Sequence, residues 1–195
     1  YHAFSLCFGL PKVVVPGKVI SMGILAFGGC ENLVEATVYG CPRQTAQKVF
    51  GNCHKLRTVR ISGSMGTIPW IMFSDCSALT SVTLYEGIKV ISDGAFEYCT
   101  SLETITMPAS LKTLDGAPFN NCTKLKNVVF NGNAPSAQDP YWSSSAAITN
   151  RVFIGTTGWS GTAGDPTIPD TWKGFPIEVY ARAPEPVPVA WLDGY

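Results

Sequence analysis

The chain of 195 residues carries 14 basic and 14 acidic residues, and 46% of its residues are hydrophobic while 14% are charged. This composition is typical of an ordered globular protein rather than a disordered one. The balanced charge, without a basic run, argues against a nucleic-acid-binding protein, which needs a positive surface to attract phosphates. No apolar stretch reaches the roughly 18 to 20 residues that cross a bilayer, so we expect no membrane-spanning segment.

An internal repeat of constant length organises the first two thirds of the chain. One repeat separates Phe27 from Phe50. A phenylalanine is followed by a cysteine three residues later and by a leucine six residues later, in six copies of which the first is partial. The invariant columns are Phe4, Phe27, Phe50, Phe73, Phe96 and Phe119; Cys7, Cys30, Cys53, Cys76, Cys99 and Cys122; and Leu10, Leu33, Leu56, Leu79, Leu102 and Leu125. Two apolar columns follow: Val13, Ala36, Val59, Val82, Ile105 and Val128; and Val15, Val38, Ile61, Leu84, Met107 and Phe130.

Each copy contains a turn followed by a short strand. The turn around the phenylalanine, such as Asp93 to Cys99, is too short for an α-helix and suits a single helical or 3-10 turn. The pattern L-x-x-V-x-V alternates apolar and other residues with a period of two, which predicts a strand with one buried face. A further apolar position upstream of the phenylalanine is occupied by Met22, Ile68, Ile91 and Leu114, but by Thr45 in the second copy.

A single repeat unit cannot bury its apolar face alone, whereas stacked units extend each column into a continuous core. Strands of successive copies would then pair in parallel, with their register fixed by the repeat length. We therefore expect an α/β repeat solenoid with a parallel sheet of about six to seven strands. The second copy departs from the pattern over 42–49, where we expect local irregularity.

The sequence after the repeats changes character. Residues 131–149 suit a long loop, and Val152, Phe153 and Ile154 suit a last strand at the repeat spacing. The aromatic residues of 155–180, including Trp159 and Trp172, suit a terminal cap, and the alternating prolines after residue 183 favour an extended linker. The predicted domains are a solenoid over 1–133, a final strand and cap over 134–180 and a tail over 181–195. Because the chain begins inside a copy, we expect further sequence upstream.

The segments from Ile68 to Leu84 and from Val90 to Pro108 resemble the BspA-like leucine-rich repeats of bacterial surface proteins. Six copies in phase carry the resemblance over the solenoid. It implies a right-handed superhelix with its main parallel sheet on the concave side. It also implies a role in adhesion or recognition outside the cell, at the cell surface or in secreted form, without catalytic residues or a cofactor.

The spacing of the cysteines favours core packing over metal binding or disulfide formation. The periodic thiols form one line without the close C-x₂-C pairs of zinc sites, so we expect no metal. Their Cβ vectors run side by side, which opposes disulfides, and buried free thiols are the better interpretation. Cys41 lies outside the columns and is the thiol that we expect to react readily. Neither His2 nor His54 stands where it could activate a nucleophile, so we expect no enzyme.

The outward positions of the predicted strands form the candidate binding face. A polar, uncharged surface with tyrosines at its border is suited to recognition, although threonine also occupies exposed strands because of its strand propensity alone. The candidate residues are Thr37, Tyr39, Arg60, Thr83, Tyr85 and Thr106.

Three functions fit this pattern. The first is a monomeric, non-catalytic module that binds a protein or glycan on a host or neighbouring cell. The second is a structural spacer within a larger surface protein. The third is a carbohydrate-binding accessory module, which would need exposed aromatic residues such as Trp142 or Trp159.

Overall fold

A computed structural model describes residues 2–40, 44–45, 47–137, 148–153, 156–159, 169–173 and 175–180. The predictions for Cys41, for Trp142 and for the tail over 181–195 lie outside the described residues. We call each copy of the repeat a coil and number the coils 1 to 6 from Phe4 to Phe119.

Fifteen short strands follow one another within the described residues. They are β1 (Lys12–Val15), β2 (Ser21–Met22), β3 (Glu35–Val38), β4 (Gln44–Thr45), β5 (Thr58–Ile61), β6 (Thr67–Ile68), β7 (Ser81–Leu84), β8 (Val90–Ile91), β9 (Thr104–Met107), β10 (Thr113–Leu114), β11 (Asn127–Phe130), β12 (Ser136–Ala137), β13 (Thr149–Phe153), β14 (Thr171–Trp172) and β15 (Phe175–Tyr180). One 3-10 turn, Gly63–Met65, is the only helical element of the described residues. The fold is a solenoid of parallel strands and turns, so the helical part of the expected α/β composition is not confirmed, and the superhelical hand stays a prediction.

Each coil contributes one strand to a main face and a shorter strand to a second face. On the main face, β1, β3, β5 and β7 form one parallel sheet, and β9, β11, β13 and β15 continue as a second. Partners in β3 and β5, such as Ala36 and Val59, lie one full repeat apart, as the sequence predicts. On the second face, β6, β8, β10 and β12 pair in parallel, while β4 pairs with β2. The irregularity of the second copy therefore coincides with an interruption of the second face.

The phenylalanine column forms the centre of the core. Successive rings from Phe4 to Phe119 stack nearly parallel, with centroids 5.1 to 5.5 Å apart. The rings of coils 3 to 6 have no exposed surface, whereas Phe4 is 52% exposed at the open end of the stack. An open cavity of about 500 Å³ at that end is lined by Phe4, Leu10 and Val13 among others. Each inner ring is thus covered by the coils on both sides.

The turns around the phenylalanines are not helical. Their N–H groups donate to the following coil, as from Phe73 to Ala95 O at 2.8 Å and from Asp75 to Glu97 O at 2.9 Å. Left-handed residues two positions before and after the ring, such as Ile71 with φ 47° and Asp75 with φ 62°, interrupt any helix. A third hydrogen-bonded ladder therefore runs along the stack in place of the predicted helical turns.

The main face is divided where one continuous sheet was expected. Strands β7 and β9 belong to neighbouring coils within the fully described stretch 47–137, yet no ladder pairing joins them. The prediction of a single sheet of six to seven strands was wrong at this position.

The last strand exists, but its expected register was wrong by one residue. Val128 of β11 lies opposite Asn150 of β13, a spacing one residue shorter than the repeat. This register turns Asn150 and Val152 inward, where both are fully buried. The full repeat spacing would instead have placed the charged Arg151 opposite Val128 in a buried column, at a large desolvation cost.

An aromatic cluster covers the last apolar layer. The rings of Trp159 and Trp172 pack edge-on against Phe130, with centroids 5.0 and 5.5 Å away. Both indoles are almost fully buried. Strand β14 turns back antiparallel onto β15, so that this end of the stack finishes in a hairpin.

We predict that Phe73→Ala lowers the free energy of unfolding by about 3 to 5 kcal/mol, because its ring is fully buried between two neighbouring rings. Phe4→Ala is the control, since that ring is half exposed. Urea melts of both variants provide the measurement. A loss below about 1 kcal/mol for Phe73→Ala would contradict the burial of the column.

Candidate binding face and thiol column

Strand pairing positions the outward side chains of the main face. Val14, Thr37, Arg60 and Thr83 occupy equivalent positions on β1, β3, β5 and β7, each between two inward residues. Parallel strands lie about 4.8 Å apart, so these side chains form a row across the sheet. Thr106 continues the row on β9, beyond the division of the main face.

The candidate residues differ in their availability. Arg60 is exposed, whereas Thr83 and Thr106 are half-buried. Thr37 is only 7% exposed, which makes it the candidate least able to contact a partner. The structure therefore brings Thr37, Arg60 and Thr83 onto one sheet and separates Thr106 from them.

The two tyrosines border the same sheet. Tyr39 and Tyr85 each follow a strand directly, and both side chains are half-buried. Their backbone N–H groups donate to Val15 O at 2.9 Å and to Ile61 O at 3.1 Å. The backbone of each tyrosine is thereby fixed by the preceding coil, which holds its ring at one place along the border.

Charged groups occupy the ends of the main face. Lys12 and Glu35 form an ion pair of 3.2 Å on β1 and β3. Arg151 on β13 pairs with Glu178 at 3.2 Å and lies 5.6 Å from the centre of the Tyr180 ring. Sequence reasoning missed Arg151 as a member of the outward row because it placed β13 one residue out of register. The charge of Arg151, which does not suit a buried column, was the available signal.

The cysteine column donates hydrogen bonds from coil to coil. Each thiol from coil 2 to coil 6 lies within hydrogen-bonding distance of the phenylalanine carbonyl of the preceding coil. The distances from Sγ to oxygen are 3.1 Å for Cys30 to Phe4, 3.1 Å for Cys53 to Phe27, 3.2 Å for Cys76 to Phe50, 3.4 Å for Cys99 to Phe73 and 3.1 Å for Cys122 to Phe96. Buried free thiols are confirmed for coils 2 to 6, whereas Cys7 of coil 1 is only half-buried, and the structure adds the role of the buried thiols as donors.

Burial suppresses the acidity of this column. Removal from water raises the pKa of Cys53 and of Cys122 to about 12, and it raises the pKa of Cys76 and Cys99 well above the ordinary value. Only the thiolate is a strong nucleophile or metal ligand. At neutral pH these thiols therefore act as hydrogen-bond donors within the core.

The described residues also bear on metal binding and membrane insertion. Among them, no group of three or more His, Cys, Asp and Glu side chains comes close enough to hold a metal ion. In the same part of the chain, no helix has the length and apolar character needed to cross a bilayer.

Comparison with known proteins identifies relatives of this architecture. A family model described as a BspA type leucine rich repeat region matches residues 1–126 with six copies. A leucine-rich repeat protein from Bacteroides ovatus superposes with a TM-score of 0.68 at 22% identity, over 88% of this chain and 43% of the other. A leucine rich cell surface protein from Faecalibacterium prausnitzii superposes with a TM-score of 0.57 at 29% identity, over 63% of this chain and 32% of the other. No curated protein matches the sequence significantly.

We predict that the buried thiols react slowly with a thiol reagent at neutral pH. Cys53, Cys76, Cys99 and Cys122 should react at least about a hundredfold more slowly in the native protein than in denaturant, because they are buried and protonated. Cys7, half exposed at the open end, should react fast, and Cys7→Ser should remove one fast group. More than two fast groups, Cys7 and Cys41, would contradict the burial of the column.

The raised pKa values also predict alkaline destabilisation. The folded pKa of Cys53 lies above its unfolded value, so its contribution is complete below about pH 9 and is lost as pH rises towards about 12. Within this window each such thiol should lower the free energy of unfolding by about 1.4 kcal/mol per pH unit. Denaturation at pH 9.5 and 10.5 should show a smaller slope for Cys53→Ala than for the native protein. Equal slopes would show that this thiol does not titrate abnormally.

Proposed function

Because the chain belongs to the BspA-type leucine-rich repeat family, we propose that it is a non-catalytic recognition module. In this proposal it acts outside the cell or at the cell surface and binds a protein through the outward face of the sheet formed by β1, β3, β5 and β7. The observation that carries the proposal is the row of outward side chains on a sheet whose inner strands, β3 and β5, are paired on both sides.

The rigidity of this face supports recognition. Inward neighbours of the row, such as Val59 and Ile61, are fully buried, and each strand pairs along its whole length. Side chains on such a support lose little further conformational freedom on binding, which lowers the cost of association. Tyr39 and Tyr85 add large amphipathic rings at the border, and such rings are enriched in contact surfaces.

The chemistry of the row favours a protein over a sugar. The row Val14, Thr37, Arg60 and Thr83 contains no aromatic ring on which a sugar could stack. Trp159, which a carbohydrate-binding module would need to expose, is 1% exposed beneath the cap. Trp142 lies outside the described residues. Arg60 is the one exposed charge of this row and offers hydrogen bonds to carbonyl or carboxylate groups of a partner.

The assignment to a non-catalytic, extracellular role has two supports. The buried Cys53 and Cys122 are protonated hydrogen-bond donors at neutral pH, so these two thiols are poor nucleophiles. The relative from Faecalibacterium prausnitzii is described as a cell surface protein. This chain spans less than half the length of either solved relative, so its place within a larger protein belongs to the proposal.

We predict that Thr83→Arg weakens binding by about tenfold or more, because a long charged side chain in this row would obstruct a partner. The experiment screens the folded chain against extracellular-matrix and host-surface proteins and against a glycan array, and then measures the affinity of each hit. Thr67→Arg is the matched control, since Thr67 is exposed on the second face. Equal loss in both variants would place the contact elsewhere. Binding to sugars alone would favour the carbohydrate module, and silence in both screens would favour a spacer.

A further inference from the structure

The main face opens between coils 4 and 5, at the junction of β7 and β9. All residues of this junction are described. Four pairs of partners join β5 to β7 and four join β9 to β11, but none joins β7 to β9. On the second face β8 and β10 still pair, and Phe73 N–H still donates to Ala95 O. The opening, which we call the β7/β9 seam, is therefore confined to one side of the stack.

A missing donor accounts for one end of the seam. In four coils the residue directly after the main strand donates its N–H to the preceding coil. These bonds are Tyr39 to Val15 O at 2.9 Å, Ser62 to Val38 O at 2.9 Å, Tyr85 to Ile61 O at 3.1 Å and Asn131 to Met107 O at 3.1 Å. In coil 5 this residue is Pro108, which has no N–H. Its ring carbon occupies the place of the hydrogen, so the equivalent hydrogen bond to Leu84 O cannot form.

Missing glycines act at the same end of the seam. The next column contains Gly17, Gly40, Gly63, Glu86, Ala109 and Gly132. A Cβ at Gly40 would lie 2.6 Å from Gly17 O, one at Gly132 would lie 2.6 Å from Ala109 O, and one at Gly63 would overlap Glu86 O. Close approach of neighbouring coils thus needs a glycine on one side. The pair Glu86 and Ala109 is the one pair of this column that has none.

Side chains span the distance that the backbone cannot close. The Glu86 carboxylate accepts hydrogen bonds from Ala109 N at 2.8 Å and from Ser110 N at 3.0 Å. The Ser110 hydroxyl donates to Ile88 O at 2.8 Å and accepts from Gly87 N at 2.8 Å. These contacts hold the coils together beyond the strand ends, where no ladder joins the strands themselves.

The opening also exposes part of two inward side chains of β7. Val82 and Leu84 belong to columns that are otherwise closed, yet both are only partly buried. Their equivalents in the preceding coil, Val59 and Ile61, have no exposed surface. Water therefore reaches the inner columns at this seam.

We propose that the β7/β9 seam is a hinge, about which coils 1 to 4 and the coils from β9 onward move as two rigid segments. This inference goes beyond the proposed function. The second face and the phenylalanine turns form the flexible connection, and the Glu86 contacts limit the opening. Because the seam crosses the outward row, its movement sets the position of Thr106 relative to Thr83.

Amide hydrogen exchange tests the open seam directly. By the register of the neighbouring strand pairs, the N–H groups of Val82, Leu84, Thr104 and Thr106 face across the seam. They should exchange at least about tenfold faster than the equivalent, paired amides of Val59, Ile61, Asn127 and Val129. Equal protection of the two sets would show that the seam is closed in solution and would overturn the proposal.

A double substitution tests whether Pro108 and Ala109 cause the β7/β9 seam. The double variant Pro108→Asn with Ala109→Gly installs the residues that coil 6 carries at 131–132, and it should bring the four seam amides to the protection of the paired set. Pro16→Asn is the matched control, because Pro16 occupies the same column in coil 1, where the described residues contain no preceding coil. Unchanged exchange in a folded double variant would refute the role of these two residues.

Distances between spin labels, placed through unnatural amino acids, test the movement. Val34 and Thr80 lie two coils apart on one side of the seam, while Arg57 and Glu103 lie two coils apart across it, and all four are exposed. The pair across the seam should give the broader distance distribution, and the distribution should narrow in the double variant. Equal widths for both pairs in the native protein would refute a hinge.

Discussion

The structure depends on one constraint, the close superposition of equivalent residues in successive coils. Phenylalanine rings stack 5.1 to 5.5 Å apart, and backbone hydrogen bonds of 2.8 to 3.1 Å around Phe73 hold the turns at the same spacing. Equivalent residues of every column can contact each other in successive coils only if the repeat length is constant. Where the spacing between partners falls one residue short of the repeat, at β13, the phenylalanine and cysteine columns have already ended.

The thiol column shows how this constraint selects residue types. The position of Cys76 needs a small apolar side chain that fills the core and donates to the carbonyl of Phe50. Alanine would leave that buried carbonyl without this donor, and serine would place a more polar group among apolar neighbours. Cysteine meets both demands, so its recurrence requires neither metal nor disulfide.

The repeat made most of the fold predictable, because the residues of each apolar column recur at a constant spacing in the sequence. The spacing gave the strands, their parallel register and the buried rings. The predicted helical or 3-10 turns are not confirmed, and Gly29, Asn52, Asp75 and Asn121 in the left-handed column were a usable signal against a continuous helix. These residue types tolerate positive φ. The column was overlooked because Leu6 and Tyr98 occupy it in other coils.

The candidate face was less predictable than the core. Alternation correctly placed Arg60 and Thr83 outward, but it could not show that Thr37 would be almost covered, since this depends on side-chain packing around it. The seam could have been anticipated from Pro108 and Ala109, yet only the structure reveals that neighbouring coils approach closely enough to require glycine. Periodicity can be seen in a sequence, whereas contacts between coils depend on distances that only the structure provides.

The hairpin at the end of the stack affects how the molecule meets other molecules. An uncovered, regular strand would be a template on which further chains could assemble into fibres. Strand β14 is only two residues long and runs against the direction of all its neighbours, and Pro176 removes a donor from the strand beside it. Where β14 covers β15, the described stack is thereby a poor seed for intermolecular β-sheet growth.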